Sequence, residues 1–361
     1  MKNTLKTLLA VLSSLAITVS SNAGELAVSG SAEATYLIGG ADDSNSKGLG
    51  ITNELNFTAA GEFASGYTWA YSMELDGATT ANDDTSLKLG LGNMGTIGIG
   101  ISELGMSQEL AYGVGAYAVG SDALNVGSMQ RGLDIDSFNN LQYHTPADLL
   151  PFGIMAKAAY APNLTAAQGS SGKQGNTIEP QAVGTGIGTS TQVGQDAQMY
   201  QLTGSPIDGL TVGADYIVGN GHGEAGTSEQ KYEAGNVFLK YATGPFVVGY
   251  GQTRIAPAFL KATAAPVQLF ENDHIGAQFA VNDALSVSIN RERSERTTKA
   301  LIVTTASNQV KLKTEVEVDT YQVAYNIGGA TLALVKSESN NAGYTANKQV
   351  DVTIFSVKMA F

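Results

Sequence analysis

The sequence predicts an all-β chain, a transmembrane antiparallel up-and-down barrel of about 16 strands. Three observations carry that expectation. Strand-length segments alternate apolar and polar residues along the chain. Short and long connections between them alternate as well. After residue 23, no apolar run approaches the ~20 residues that a membrane-spanning helix needs. A period of two places one set of side chains on each face of a strand. In a barrel set in lipid, the apolar set faces outward and the polar set faces water.

The first segment stands apart. Lys2 and Lys6 precede the apolar run LLAVLSSLAITV, and Ser21-Asn22-Ala23 offers small residues for cleavage. Residues 1–23 therefore read as a secretory signal peptide, and residues 24–361 as a single barrel domain. Removing two lysines and no acids takes the formal charge from −13 to −15. That balance speaks against a nucleic-acid partner and favours cations in any pore the chain lines. There is no cysteine, and His144, His222 and His274 are the three histidines. A thiol nucleophile and a structural zinc site are thereby excluded, and no cofactor is expected.

Taken in order, Val28–Ile38 supplies a first strand. In Ile51–Ala59, Ile51, Leu55, Phe57 and Ala59 oppose Thr52, Glu54, Asn56 and Thr58. In Tyr67–Asp76, Tyr67, Trp69, Tyr71, Met73 and Leu75 oppose Ser72, Glu74 and Asp76. Leu87 and Leu89 oppose Ser86 and Lys88; Ile97, Ile99 and Ile101 oppose Thr96, Gly98 and Gly100. The same reading fits Phe152–Tyr160, Leu210–Val218, Phe246–Tyr250, Ile275–Val281 and Leu285–Ile289. The last strand, Val350–Phe361, sets Thr353, Phe355, Val357, Met359 and Phe361 against Ile354, Ser356 and Lys358. A terminal strand has an unpaired edge. Pairing it with Leu26–Ile38 closes the barrel.

Short turns are expected at 60–65, 92–95, 146–151, 204–209, 243–245, 282–284 and 327–329. Long polar stretches fall at 39–48, 77–84, 103–137, 162–196, 219–230, 256–270, 296–314 and 339–349. A soluble sandwich has no reason for this regularity, whereas a membrane barrel carries short turns at one rim and long loops at the other. Tyr67, Phe152, Phe246 and Phe361 fall beside short turns, and Tyr36, Tyr160, Tyr216 and Tyr250 beside long loops, at the heights of two interfacial girdles.

Together with the first strand, the hairpin Asn53–Leu75, the pair KLGLGNMGTIGIGIS (88–102), the stretch NNLQYHTPADLLPFGIMAKAAYAP (139–162) and the strand ending in Phe361, the chain resembles the general bacterial porins of the Gram-negative outer membrane. The resemblance implies a 16-stranded, usually trimeric barrel with its third long loop folded into the lumen as a constriction. It also implies outer-membrane localisation among lipid and lipopolysaccharide, and a terminal strand read by the barrel-assembly machinery through Phe361. The chain departs from the family after Ile101: it has Ser102-Glu103 where family members often carry arginine, and it lacks their acidic Pro-Glu-Phe-Gly-Gly-type loop segment.

Function in such a barrel lies in the charges that face the lumen. Parity places Glu33, Glu54, Glu74, Asp76 and Asp215 there, with Lys88, Lys157, Lys240 and Lys358. The third long loop, Glu103–Ser137, adds Glu103, Glu109, Asp122, Asp134 and Asp136 against Arg131. Its run LAYGVGAYAV (110–119) is apolar enough to be buried against a wall. The run RERSER (291–296) reads as a solvated strand end, with lipopolysaccharide phosphate as a less favoured partner. Asp42-Asp43 and Asp83-Asp84 read as acidic loop tips. His144 lies beside a short turn, His222 in a glycine-rich loop and His274 near a strand start, none beside a nucleophile, so no enzymatic activity is expected. The expected function is a passive diffusion channel for small hydrophilic solutes and ions, weakly cation-selective. A structural or adhesive surface protein without a conducting pore is the alternative.

Overall fold

The computed structural model describes residues 26–38, 48–76, 80–101, 104–106, 111–117, 126–132, 135–162, 196–220, 228–260, 267–298 and 312–361. Its strands are β1 (Ala27–Leu37), β2 (Gly48–Glu62), β3 (Thr68–Asp76), β4 (Thr80–Gly90), β5 (Thr96–Ile101), β6 (Asn139–His144), β7 (Met155–Ala161), β8 (Asp196–Ile207), β9 (Leu210–Asn220), β10 (Ser228–Gln230), β11 (Glu233–Thr243), β12 (Phe246–Ala256), β13 (Phe259–Leu260), β14 (Val267–Ala280), β15 (Leu285–Thr298), β16 (Leu312–Ile327), β17 (Ala330–Asn340) and β18 (Gln349–Ala360). β10 and β13 pair as a small separate ribbon. The other 16 form one closed antiparallel barrel in sequence order.

Closure falls where the sequence places it, between β18 and β1. At the seam, the Gly30 N–H donates to the Phe361 carbonyl at 2.8 Å, and the Phe361 N–H donates to the Gly30 carbonyl at 2.9 Å. Glycine at position 30 leaves room for the terminal ring: a Cβ there would meet the Phe361 ring at 3.0 Å and overlap the Glu54 carbonyl.

Two local expectations change. Pro151–Gly153 is a 3-10 turn with Phe152 at φ 61°, so β7 starts at Met155 and not at Phe152. Asp83 and Asp84 lie within β4 and not at a loop tip, because pairing with β3 extends to Thr80. Asp42 and Asp43 lie outside the described residues.

The outward apolar, inward polar pattern holds over the half of the wall nearer the short turns. On β11, Val237 and Leu239 are exposed, while Asn236 is buried and Lys240 reaches the Gly113 carbonyl on the inner face. Towards the long-loop rim of β9–β18 the pattern reverses. Ile217, Ala234, Ile255, Phe270, Val316, Val318, Val350 and Val352 are buried on the inner face. Alternating with them, Glu233, Arg254, Glu271, Arg293, Glu315, Glu317 and Asp351 take outward positions. Arg291 pairs with Asp319 at 2.7 Å, Arg254 with Glu271 and Asp273 at 3.3 Å each, Arg293 with Glu315, and Lys313 with Glu295. Exposed pairs of this kind add little stability. They mark a surface that faces water or headgroups, not hydrocarbon. The barrel is thus membrane-like at one end and built like a water-soluble barrel, apolar inside, at the other.

Deleting Phe361 removes both seam hydrogen bonds, about 1 kcal/mol each, together with the ring over Gly30. The expected outcome is a lower yield of heat-stable barrel on unheated gels, with unchanged β-sheet circular dichroism in the molecules that do assemble.

Candidate pore and constriction

Tracing the long connection between β5 and β6 through its described parts locates it against the inner wall. At its base, Lys157 Nζ of β7 donates to the Gly105 carbonyl at 2.6 Å. Gln201 Nε2 of β8 donates to the Met106 carbonyl at 2.7 Å. The Met106 N–H donates to Asp136 at 2.6 Å, and Gln142 Nε2 donates to the other Asp136 oxygen at 2.6 Å. Further along, Lys240 Nζ of β11 donates to the Gly113 carbonyl at 2.7 Å. Asn290 of β15 brackets Val114, accepting from its N–H at 3.2 Å and donating to its carbonyl at 2.7 Å. The Gly115 N–H donates to Gln278 at 3.0 Å. Gln322 of β16 accepts from the Tyr117 N–H at 2.8 Å and donates to the Tyr117 carbonyl at 3.1 Å. Finally the Tyr117 phenol donates to the Glu33 carboxylate on β1. Each of these wall residues belongs to the inward set. A non-repetitive segment inside a barrel must still satisfy its backbone groups. Here glutamine, asparagine and lysine side chains on the wall do so.

Tyr112 anchors this limb. Its backbone carbonyl sits over Gly249 and its ring over Gly251, where any Cβ would overlap Tyr112 itself. It stacks on His274 of β14 with ring centroids 4.3 Å apart and planes 15° apart. Its hydroxyl donates to Glu292 Oε1 of β15 at 3.2 Å. The same oxygen takes Arg131 Nη2 at 2.5 Å, and His274 Nδ1 lies 3.8 Å from it. Tyr112 and Glu292 are fully buried and His274 is 2% exposed. A carboxylate is retained at that depth because a guanidinium and a phenol share it.

The returning limb is fastened higher up. Asn272 donates to the Gln130 carbonyl at 3.0 Å, the Gln130 N–H donates to the Tyr344 hydroxyl at 3.0 Å, and the Gly343 N–H donates to the Gly127 carbonyl at 2.7 Å. Burial holds the Tyr344 phenol above its ordinary pKa. Met106, Val126, Met129, Ile135 and Phe138 join the inward apolar residues of β7–β18 in one core. That core explains the reversal of polarity: the loop supplies an apolar filling, and the upper wall turns apolar to meet it.

Arg131 is thus held by Glu292, and Asp136 is 5% exposed and spent on the loop base. Lys157 and Lys240 reach loop carbonyls. Lys358 stands opposite Glu33 across the seam, and Lys88 borders Gly98 and Leu104. Glu54 accepts from Asn56, Glu74 stands opposite Asn56 in register, and Asp215 accepts from Asn236 at 3.2 Å. Asp76 ends β3. Glu103, Glu109, Asp122, Asp134 and His222 lie outside the described residues. His274 lies in the middle of β14, not near its start. Sequence reasoning took Glu292, within RERSER, for part of a solvated strand end, whereas it is buried on the inner face; it weighed His274 only as an enzymatic residue and passed over Gln278, Asn290 and Gln322. A parity signal for two of them was available, since Asn290 and Glu292 alternate with the lipid-type residues Ile289 and Val287. The described limbs touch the wall from β5 round to β1. The remaining strands, β2–β4, carry Glu54, Glu74, Ser72, Ser86 and Lys88.

No protein-family model and no curated protein sequence matches the chain. Solved structures do match in fold. An anion-selective porin from Comamonas acidovorans is 13% identical with a TM-score of 0.63, over 94% of this chain and 100% of that one. The trimer form of OmpT, an outer membrane protein of Vibrio cholerae, is 11% identical with a TM-score of 0.60, over 94% and 100%. Salmonella typhi OmpF in complex with daunomycin is 13% identical with a TM-score of 0.59, over 94% and 98%. The architecture is that of the Gram-negative porins.

Glu292→Ala strips Arg131 of this buried carboxylate, a change that costs about 3–5 kcal/mol in comparable pairs. The expected result is a loop that proteases cut in an otherwise folded barrel, checked by limited proteolysis against wild type.

Proposed function

We propose that the chain is an outer-membrane diffusion channel for small hydrophilic solutes and ions, weakly selective for cations. One observation carries the reading. The third long loop, in its described parts, lies along one side of a closed barrel and faces a wall of charged and hydroxyl side chains. Size and field would then act on solutes, with no covalent chemistry. The acids Glu33, Glu54 and Glu74 on that wall, and the overall excess of acid, support cation preference. Glu103, Glu109, Asp122 and Asp134 would add to it wherever they border the water column.

The outward charges support a placement in the membrane. On β9–β18 the charged collar would stand at and above the headgroups of the outer leaflet, where Arg291 and Arg293 suit lipopolysaccharide phosphates. On β1 and β2 the outward face stays apolar toward the same rim, with Tyr36, Leu49 and Ile51 exposed, the last two by 87% and 76%. That face would pack against further copies in a homotrimer, for which the trimer form of OmpT is a fold-level parallel. Residues 1–23 would be the export signal, and the strand ending in Phe361 the element handed to the assembly machinery.

Purified protein in planar bilayers should give discrete conductance steps and, under a KCl gradient, a reversal potential favouring potassium. Absence of steps would leave a structural surface protein as the reading. Ile51→Lys should abolish the trimer on native gels while the monomer keeps its β-sheet circular dichroism; an intact trimer would place the contact elsewhere.

A further inference from the structure

We propose that Tyr117 sets the ion selectivity of the lumen by capping the carboxylate of Glu33; this rests on the channel reading above. Tyr117 is placed from both sides of its backbone, since Gln322 of β16 accepts from its N–H at 2.8 Å and donates to its carbonyl at 3.1 Å. From there the side chain crosses β17 and β18 to reach Glu33 on β1. Contact with Glu33 therefore occurs on β1, which neighbours β2 and its Glu54.

The consequence is electrostatic. Burial, reinforced by the hydrogen bond to Glu33, holds the phenol well above its ordinary pKa, so it remains a protonated donor throughout the neutral range. A phenol donating to a carboxylate takes up acceptor capacity that a passing cation would otherwise use. The ring, half-buried against the wall, shields one side of the group. The rest of the described limb, Ala111–Ala116, carries no charge. Among the described residues, Glu33 is thus a wall carboxylate that the loop reaches through one hydroxyl group. A phenylalanine would keep the ring and lose the donor.

The test is the K⁺/Cl⁻ permeability ratio from reversal potentials, measured for wild type, Tyr117→Phe, Glu33→Gln and the double variant. Tyr117→Phe should raise the ratio about two- to threefold, the effect of one uncovered charge near the path after screening, with unit conductance close to wild type. The double variant should match Glu33→Gln, because no carboxylate remains to uncover. A ratio unchanged by Tyr117→Phe, or a rise that persists in the Glu33→Gln background, overturns the proposal. Glu33→Asp gives a second route should Tyr117→Phe fold poorly: it keeps the charge, withdraws it from the phenol and should also raise the ratio, and an unchanged ratio there overturns the proposal too. Wild-type protein without discrete steps would instead defeat the channel reading, so the two failures are distinguishable.

Discussion

An unpaired strand edge exposes a row of N–H and carbonyl groups, and that constraint organises this molecule. Every strand in the barrel needs a neighbour on both sides, so the wall must close on itself. Closure depends on β18 meeting β1, where Gly30 and Phe361 exchange N–H and carbonyl groups. The strand at the chain's end thereby loses its edge, and the interior becomes a compartment with its own chemistry.

The same requirement acts a second time, inside. The segments crossing the lumen have no strand to pair with, and the wall answers with side chains. Asn290 and Gln322 each bond both an N–H and a carbonyl of the limb, and Lys157 and Lys240 cap carbonyls. Lysines that look like free pore charges thus also act as fasteners. Gly249 and Gly251 let Tyr112 approach the wall closely enough to stack on His274 and reach Glu292. Position and electrostatics are coupled here: Arg131 anchors the returning limb through the same carboxylate oxygen that Tyr112 uses.

The wall also changes character along its height. Near the short turns it is apolar outside and polar inside, and near the long loops of β9–β18 it is the reverse. The loop core of Val126, Met129, Ile135 and Phe138 would leave apolar surface in water without apolar strand ends to cover it. The charged collar outside is the complement of that filling. Its absence from the outer faces of β1 and β2 breaks the symmetry of the barrel and gives it one side suited to protein contact.

The sequence by itself determined the barrel, its strand count and the seam, because a period of two and alternating connection lengths are local properties that survive without coordinates. By parity it also set Glu33, Glu54, Glu74, Lys88 and Lys358 on one face of their strands, and Tyr117 of the loop meets Glu33 there. Parity alone does not fix environment in the upper strands, where the apolar Val316 and Val318 are buried inside the barrel. The reversal depends on what fills the lumen, and the filling comes from residues about 180 positions away in the chain, as between Tyr112 and Glu292. Only the tertiary structure decided that Arg131 is bound, that Asp136 is buried and that Tyr117 meets Glu33. Those partners are set by the path of a loop across a closed interior, and no local period encodes that path.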